Sequence, residues 1–343
     1  MNDMISKNKS FALFFVAIGI LAIFSCKKLL PSDSDAFNKD AGFKQTTYRP
    51  ILGRTTLMGD NFNIESSSLP LTFKIVAMRN GDGQTSPELL KPFPVLVWKK
   101  AYDGSEKSIQ EIENKRTTEQ HTLFEVGEHS GEFIMWAEAR SNIVKALPDS
   151  GYVFDVEVSN NGGRKYFNNL VLQPQRELPY EPNRINPLTG ANTGGTITPS
   201  TMAGIFGEKS GQPLSANDVT ILFNKTGEGN SLSFKFLDTL LKPIDPAKFK
   251  LTNWTKLVHG FNMKMTPTSV KYDVAYPIPL VQIPTPYTNA AGSRARVAFS
   301  YDRIGFGGFR VEANLGLDFA IFEKGDWEIV IWFNKDNPRF TND

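Results

Sequence analysis

The sequence predicts an all-β protein built from two β-sandwich domains of the immunoglobulin-like kind. Three observations support this class: apolar and polar residues alternate along many segments, Gly and Pro occur 27 and 21 times in 343 residues, and no long segment has the spacing of an amphipathic helix. Alternation with a period of two places successive side chains on opposite faces of a strand. Frequent turn residues divide such strands into short lengths, as sandwiches require.

Residues 1–25 are predicted to be a secretory signal peptide. Two lysines give the segment a positive start, and an almost wholly apolar run follows at residues 11–24. That run is shorter than a comfortable membrane-spanning helix. Ser25, directly before Cys26, resembles the end of a bacterial lipobox, in which the Cys thiol is acylated and the peptide is cut before it.

Cys26, the only cysteine of the chain, is therefore the predicted lipidation site. The alternative is an ordinary cysteine of an uncleaved anchor helix, and Phe24 is bulkier than the usual lipobox residue. Several acyl chains would anchor the protein stably, because each buried methylene contributes roughly 0.8 kcal/mol. Lys27 and Lys28 stand where some inner-membrane lipoproteins have an aspartate, which favours the outer membrane. Residues 32–35 faintly resemble the acidic tracts of surface lipoproteins in Bacteroidota.

Composition excludes several classes of protein. No cysteine follows Cys26, so the mature chain has neither a disulfide framework nor a thiolate metal site. A formal net charge of +2 gives no argument for binding nucleic acid. The polar residues 26–48 are predicted to be a flexible tether between the membrane and the folded part.

Residues 49–174 are predicted to form the N-terminal sandwich. Alternating strands are expected around residues 71–76 and 154–158, and Asn160-Asn161-Gly162-Gly163 predicts a hairpin turn, since these residues tolerate positive φ. Ser108 followed by Glu111 matches a capping box. It predicts a short surface helix between two strands.

Residues 175–202 are rich in Pro, Asn, Thr and Gly and are predicted to be the linker, although an ordered loop is also open. Residues 203–343 are predicted to form the C-terminal sandwich. Its longest alternation covers residues 311–321, and a turn at residues 324–326 leads to another at residues 327–333. These two strands are expected to pair as a final hairpin.

Trp254, Trp136 and Tyr287 are the candidate ligand-binding residues. Sugar-binding modules expose aromatic rings whose faces stack on the apolar faces of sugars. Trp254 has polar neighbours and is expected to be exposed, and Tyr287 ends a stiff Pro/Tyr loop that starts at Tyr276. The alternative for each ring is an ordinary place in the core.

No catalytic residue, metal site or cofactor is predicted. The three histidines lack zinc-ligand spacing, and no nucleophile elbow or phosphate loop is present. Strand carboxylates such as Glu138 and Asp155 leave a glycosidase pair open, because sequence does not give the distance between two carboxyl groups. Such strand carboxylates are more often merely solvated.

Several segments together resemble an uncharacterised lipoprotein family of Bacteroidota, catalogued as domain of unknown function 5007. These segments are Cys26 to Pro31, Leu52 to Thr55, Glu111 to Arg116, Glu128 to Phe133 and Gly325 to Glu328. The resemblance implies no catalytic or ligand residues. It implies, by association only, an accessory role beside outer-membrane glycan-uptake systems.

We therefore expect a non-catalytic outer-membrane lipoprotein on the cell surface, held by the lipid on Cys26. It would bind a glycan or a protein of a nutrient-uptake complex, and no nucleic acid. Two alternatives remain at this point: a polysaccharide hydrolase that uses a carboxylate pair, and a structural or adhesive surface protein.

Overall fold

The computed structural model describes residues 36–147 and 149–343. These residues form mostly β-strands in several sheets with only short helices, which confirms the predicted all-β, sandwich-like class. No helix in this part of the chain has the length and apolar character needed to cross a membrane. Two separate large cores, one in each half of the chain, show that two sandwiches are present. Their immunoglobulin-like topology stays a prediction.

The N-terminal half packs a four-stranded sheet against a three-stranded sheet. The sheet orders are β2-β11-β10-β5 and β3-β9-β8, and β1–β4 and β6–β7 form separate two-stranded ribbons. The elements are β1 (Gly42–Phe43), β2 (Thr47–Tyr48), β3 (Thr56–Met58), β4 (Phe62–Asn63), β5 (Thr72–Asn80), α1 (Pro87–Leu90), β6 (Pro92–Trp98), α2 (Ile109–Glu113), β7 (Arg116–Thr122), β8 (Phe124–Val126), β9 (Phe133–Met135), β10 (Tyr152–Asn160) and β11 (Gly163–Leu172).

Aromatic rings fill the space between these two sheets. Phe133 of β9 lies edge-on to Phe154 of β10 at 5.3 Å between ring centroids, and Phe124 of β8 meets Phe154 at 5.2 Å. Edge-to-face contacts of this kind add to the free energy already gained by burial. The predicted hairpin is present, since Asn160 pairs with Gly163 at the β10–β11 turn.

The folded part begins before the predicted boundary at residue 49. β1 and β2 lie inside the segment predicted to be tether, and Tyr48 is fully buried beside Phe133 at 4.7 Å. The segment was predicted to be a tether because most of its residues are polar. Its few apolar residues, Phe43 and Tyr48 among them, nevertheless pack into this core.

The C-terminal half packs a six-stranded sheet against a four-stranded one. The sheet orders are β14-β21-β15-β18-β17, with β16 beside β15, and β12-β20-β13, with β19 beside β20. The strands are β12 (Tyr180–Glu181), β13 (Thr201–Ala203), β14 (Val219–Gly227), β15 (Ser231–Leu237), β16 (Pro243–Ile244), β17 (Gly260–Thr266), β18 (Ser269–Val274), β19 (Ala295–Ile304), β20 (Arg310–Ile321) and β21 (Asp326–Phe333). Short 3-10 helices cover Ala216–Asp218, Pro246–Lys248 and Trp254–Lys256, and a tight turn covers Phe306–Gly308.

The predicted final hairpin is wrong. β20 pairs with β12, β13 and β19, whereas β21 lies in the other sheet between β14 and β15. The chain crosses from one sheet to the other at residues 322–325. Both strands have an apolar face, and placing them in opposite layers turns those faces toward one core.

The predicted linker is largely part of the C-terminal sandwich. β12 pairs with the end of β20, and Tyr180 stacks on Phe223 at 4.6 Å with an interplanar angle of 13°. Ile197 forms a bridge with Ile221. The turn residues of this segment predicted a linker because they mark breaks in regular structure but do not reveal the short strand between them.

Candidate functional site

Cys26, the predicted lipidation site, lies outside the described residues. Of the three aromatic candidates, Trp254 is not an open platform. It is half-buried, with its ring 5.7 Å from that of Phe299, and its carbonyl accepts the hydroxyl of Tyr272 at 2.6 Å. The polar neighbours that predicted exposure belong to a 3-10 turn, which directs the ring inward against the core. Its role in binding stays a prediction.

Trp136 is also half-buried and follows β9. Its ring lies 5.1 Å from that of His121 on β7. His121 contacts Glu125 at 3.1 Å, so a His, a Glu and an indole meet on one side of the N-terminal half. Within the described residues, no group of three or more His, Cys, Asp or Glu side chains could hold a metal ion.

Tyr287 lies at the junction between the two halves. Its ring is stacked on that of His259 at 4.8 Å and 2°, and the hydroxyl of Tyr102 lies 2.5 Å from Nδ1 of His259. Nε2 of His259 lies 2.8 Å from the carbonyl oxygen of Glu106, to which only an N–H can donate. In the neutral tautomer that fits both contacts, Nε2 of His259 carries the proton and Nδ1 accepts the Tyr102 hydroxyl. Burial raises the pKa of Tyr102, so this hydroxyl keeps its proton.

The junction is packed rather than open. The helix α2 was predicted to lie on the surface, but Ile112 is fully buried in a cluster with Tyr102, Ala275 and Leu280. The cavity beside Tyr287 measures about 30 Å³, which suffices for a water molecule and not for a sugar ring. Tyr287 and its neighbours therefore join the two halves in this conformation.

A larger open site lies in the N-terminal half. It measures about 350 Å³, within the usual range for ligand sites. We call it the N-terminal groove; it is lined by Thr72, Phe73, Lys74, Ile75, Met78, Leu89, Leu90, Thr122, Phe124, Glu125, Val126 and Glu128.

The groove exists because the sandwich is open along one side. β5 and β8 are both edge strands, one of each sheet, and a hydrogen bond from Phe73 N to Glu128 O at 2.7 Å ties them together at one end. At the other end Ser86 N donates to Met78 O. Among the described residues, no backbone hydrogen bond reaches the outer side of β5 between these two points.

A second exposed feature lies at the far end of the C-terminal half. The turn between β19 and β20 has the sequence Gly305-Phe306-Gly307-Gly308-Phe309, and we call it the phenylalanine tip. Phe306 and Phe309 are 95 and 76% exposed. The sequence analysis did not identify these two rings as a surface feature.

Carboxyl groups in the described residues are mostly engaged by cations or by N–H donors. Arg79 holds Asp155 with two hydrogen bonds of 2.7 and 3.0 Å, and these bonds keep the pKa of Asp155 below its usual range. Two hydrogen bonds from Ser215 likewise lower the pKa of Asp218. A general acid at neutral pH needs the opposite shift.

The comparisons with known proteins give a family and no activity. A family model described as "Domain of unknown function (DUF5007)" matches residues 62–342, which is most of the chain. No curated protein and no solved structure matches the sequence or the fold.

Proposed function

The chain belongs to the DUF5007 family, which is defined without a function, and from its surfaces we propose a non-catalytic outer-membrane lipoprotein that binds a protein partner. It would be anchored through Cys26 and serve as an accessory of a nutrient-uptake system. The N-terminal groove would hold an extended apolar segment of the partner. The observation that supports this most directly is an open site of about 350 Å³ with an apolar floor.

The lining of the groove favours a peptide over a glycan. The floor consists of buried apolar side chains, among them Phe73, Met78 and Phe124. Sugars stack on exposed ring faces, but Phe73 and Phe124 are only 4 and 1% exposed, so their faces are already covered by protein. Met78 adds an adaptable, polarisable wall of the kind found in sites that accept varied apolar segments.

The edge of β5 gives the partner a backbone to pair with. An extended segment placed beside residues 74–77 could reach the unpaired outer side of the strand. Val76 is the extra residue of a β-bulge against β10, so the free edge is short and irregular. A bulged edge of this kind discourages uncontrolled sheet extension, and it leaves side-chain contacts in the groove to provide specificity.

We propose a protein without catalytic activity because its ion-paired and hydrogen-bonded carboxylates are poor general acids. The shifts in pKa described for Asp155 and Asp218 are downward, which keeps both groups ionised at neutral pH. The cavity beside Tyr287 is too small for a saccharide. A carboxylate pair acting on a polysaccharide would need an open cleft between one raised and one ordinary carboxyl group.

The test is a selection of linear peptides from a random display library on the chain that starts at residue 27, which contains all the residues of both cores. Leu90, at the rim of the groove and 45% exposed, is replaced in Leu90→Glu. Leu57, 60% exposed on β3 and outside the groove, is replaced in the matched control Leu57→Glu. A glycan array is screened with the same three proteins.

We expect peptides rich in apolar residues that bind the wild type and Leu57→Glu equally. Leu90→Glu should bind them at least about tenfold more weakly, a loss of roughly 1.4 kcal/mol, because a carboxylate at the rim must lose water. Binding of a glycan instead of peptides would replace the protein partner with a carbohydrate. Release of reducing ends from any glycan would show a hydrolase and overturn the proposal.

A further inference from the structure

The phenylalanine tip is built to hold two rings in the solvent. Gly305 N donates to Phe309 O at 2.8 Å and Gly308 N to Gly305 O at 3.0 Å, so the turn is closed by its own backbone. Gly307 and Gly308 have φ of 80° and 78°, a region that side-chain-bearing residues rarely adopt. This tight turn directs Phe306 away from the protein. Leaving both rings in water is unfavourable, and large exposed apolar groups usually mark a contact surface.

Cationic side chains surround the base of the tip. Asp302 pairs with both Lys250 at 2.7 Å and Arg310 at 2.6 Å, while Asp343 pairs with both Arg303 and Arg339. In the two pairs of Asp302 the cations are the outer members: Lys250 and Arg310 are 60 and 54% exposed, against 18% for Asp302. Arg303 is instead buried beneath Asp343.

Positive charge is in excess in this group. Lys248 adds a further cation over the ring of Phe340, and Glu312 adds one carboxylate beside Arg310. The side chains of these two groups of ion pairs, together with Lys248, are five cations and three carboxylates: Lys248, Lys250, Arg303, Arg310 and Arg339 with Asp302, Glu312 and Asp343.

We propose that the phenylalanine tip inserts into the interfacial region of an anionic lipid surface. The two rings would enter the boundary between headgroups and acyl chains, where aromatic side chains are enriched. The exposed Lys250 and Arg310 would then lie at the level of the anionic headgroups, which attract basic side chains. A projecting turn fits a lipid surface, which needs no preformed pocket to receive it.

The tip and the N-terminal end of the described chain each lie at the end of their own half that is remote from β12. Ala36 O accepts Asn160 Nδ2 at the β10–β11 turn, the end of that half remote from β12. The tip lies at the opposite end of β20 from its pairing with β12, about 36 Å along the strand at a rise of ~3.3 Å per residue from Arg310 to Ile321. Together with the proposed lipid on Cys26, the tip would give the protein a second contact with the membrane.

The test is co-sedimentation of the chain from residue 27 with vesicles of equal parts phosphatidylglycerol and phosphatidylcholine, and with phosphatidylcholine alone. The variant F306S/F309S removes both rings. The matched control L240S/L241S removes two similarly exposed apolar side chains from a turn elsewhere in the same half. A third variant, Lys250→Glu, reverses one exposed charge, and thermal unfolding checks that each variant is folded.

We expect the wild type and L240S/L241S to sediment with the anionic vesicles, less at high salt and less with neutral vesicles. F306S/F309S should bind at least about tenfold more weakly, and Lys250→Glu should be weakened by a smaller factor. Equal sedimentation of wild type and F306S/F309S would overturn the proposal. So would self-association of the wild type without lipid that F306S/F309S abolishes, because the rings would then contact a second copy.

Discussion

Arg54 of the N-terminal half donates to Glu181 of β12 at 2.6 Å, and this ion pair joins the two halves of the chain. Arg294 donates to the second oxygen of the same carboxylate at 3.1 Å. The guanidinium of Arg54 also lies over the ring of Phe322, 3.7 Å from its centroid. Glu181 is thus held by two arginines from different parts of the fold.

Glu181→Gln should lower the free energy of unfolding by about 1–3 kcal/mol, because it leaves two partly buried guanidinium groups without their carboxylate. Asp318→Asn, which removes the partner of the more exposed Arg296, should cost less than about 1 kcal/mol. Urea unfolding of both variants measures the difference. Equal losses would show that the Glu181 pairs contribute no more than an ordinary surface pair.

The contribution of Glu181 should also depend on pH. Burial alone would raise the pKa of Glu181, but the hydrogen bond and charge of Arg54, together with Arg294, hold it below its ordinary value. A carboxyl group with a lowered pKa in the folded state stabilises fully above the unfolded pKa, about 4.3 for Glu. The difference between wild type and Glu181→Gln should therefore shrink as the pH falls through and below about 4.

Gly204→Ala should be strongly destabilising. Gly204 has φ of +67°, and a Cβ there would lie 2.0 Å from the carbonyl oxygen of Glu312 on β20. Gly211 has a similar φ of +64° with nothing within 4 Å of the corresponding Cβ, so it serves as the control. We expect Gly211→Ala to lower the free energy of unfolding by about 1 kcal/mol, from backbone strain alone. Gly204→Ala should lower it by at least about 2 kcal/mol more. Thermal unfolding of both variants measures the two losses.

Trp254→Ala should lower stability by about 2–4 kcal/mol, because the indole packs against Phe299 and Phe236. Loss of ligand binding in this variant would therefore not by itself locate a binding site. Phe309→Ala, which removes an exposed ring, should leave stability within about 0.5 kcal/mol. A stable Trp254→Ala protein would contradict the packing described for the 3-10 turn.

Cys26→Ser should leave the protein without lipid and in its longer, uncleaved form. Acylation requires the thiol, so a serine would prevent both lipid attachment and the cut before residue 26. Labelling cells with a radioactive fatty acid and fractionating their membranes measures the outcome. Incorporation of label into the Cys26→Ser protein would contradict a lipid on Cys26.

Strands were predictable where the alternation was long. Residues 311–321 lie in β20 and residues 154–158 lie in β10. One face of each strand is buried, and this burial produces the alternation of apolar and polar residues with a period of two. The Ser108 cap was equally local, although only half of the predicted capping box forms: the Ser108 hydroxyl accepts Glu111 N at 3.1 Å, but Glu111 accepts the N–H of Lys107, not that of Ser108, at 2.8 Å.

Pairing between distant strands was not predictable from local pattern. Apolar and polar residues alternate in both β20 and β21, and this alternation does not determine which sheet each strand joins. The N-terminal groove could not be predicted for the same reason, since it depends on β5 and β8 being edge strands of facing sheets. The exposure of Phe306 and Phe309 could have been expected, because two rings inside a five-residue turn have no strand neighbours to pack against.

The position of β21 has a consequence for how the protein is made. Residues 326–333 lie between β14 and β15, antiparallel to the first and parallel to the second, although both strands precede them by about a hundred positions in the chain. During synthesis the N-terminal strands up to β11 can pair with one another, whereas β14 and β15 have to wait for the last strand. A ribosome that stops before residue 326 therefore releases a chain with one finished half and one sheet lacking its centre, a ready substrate for proteases.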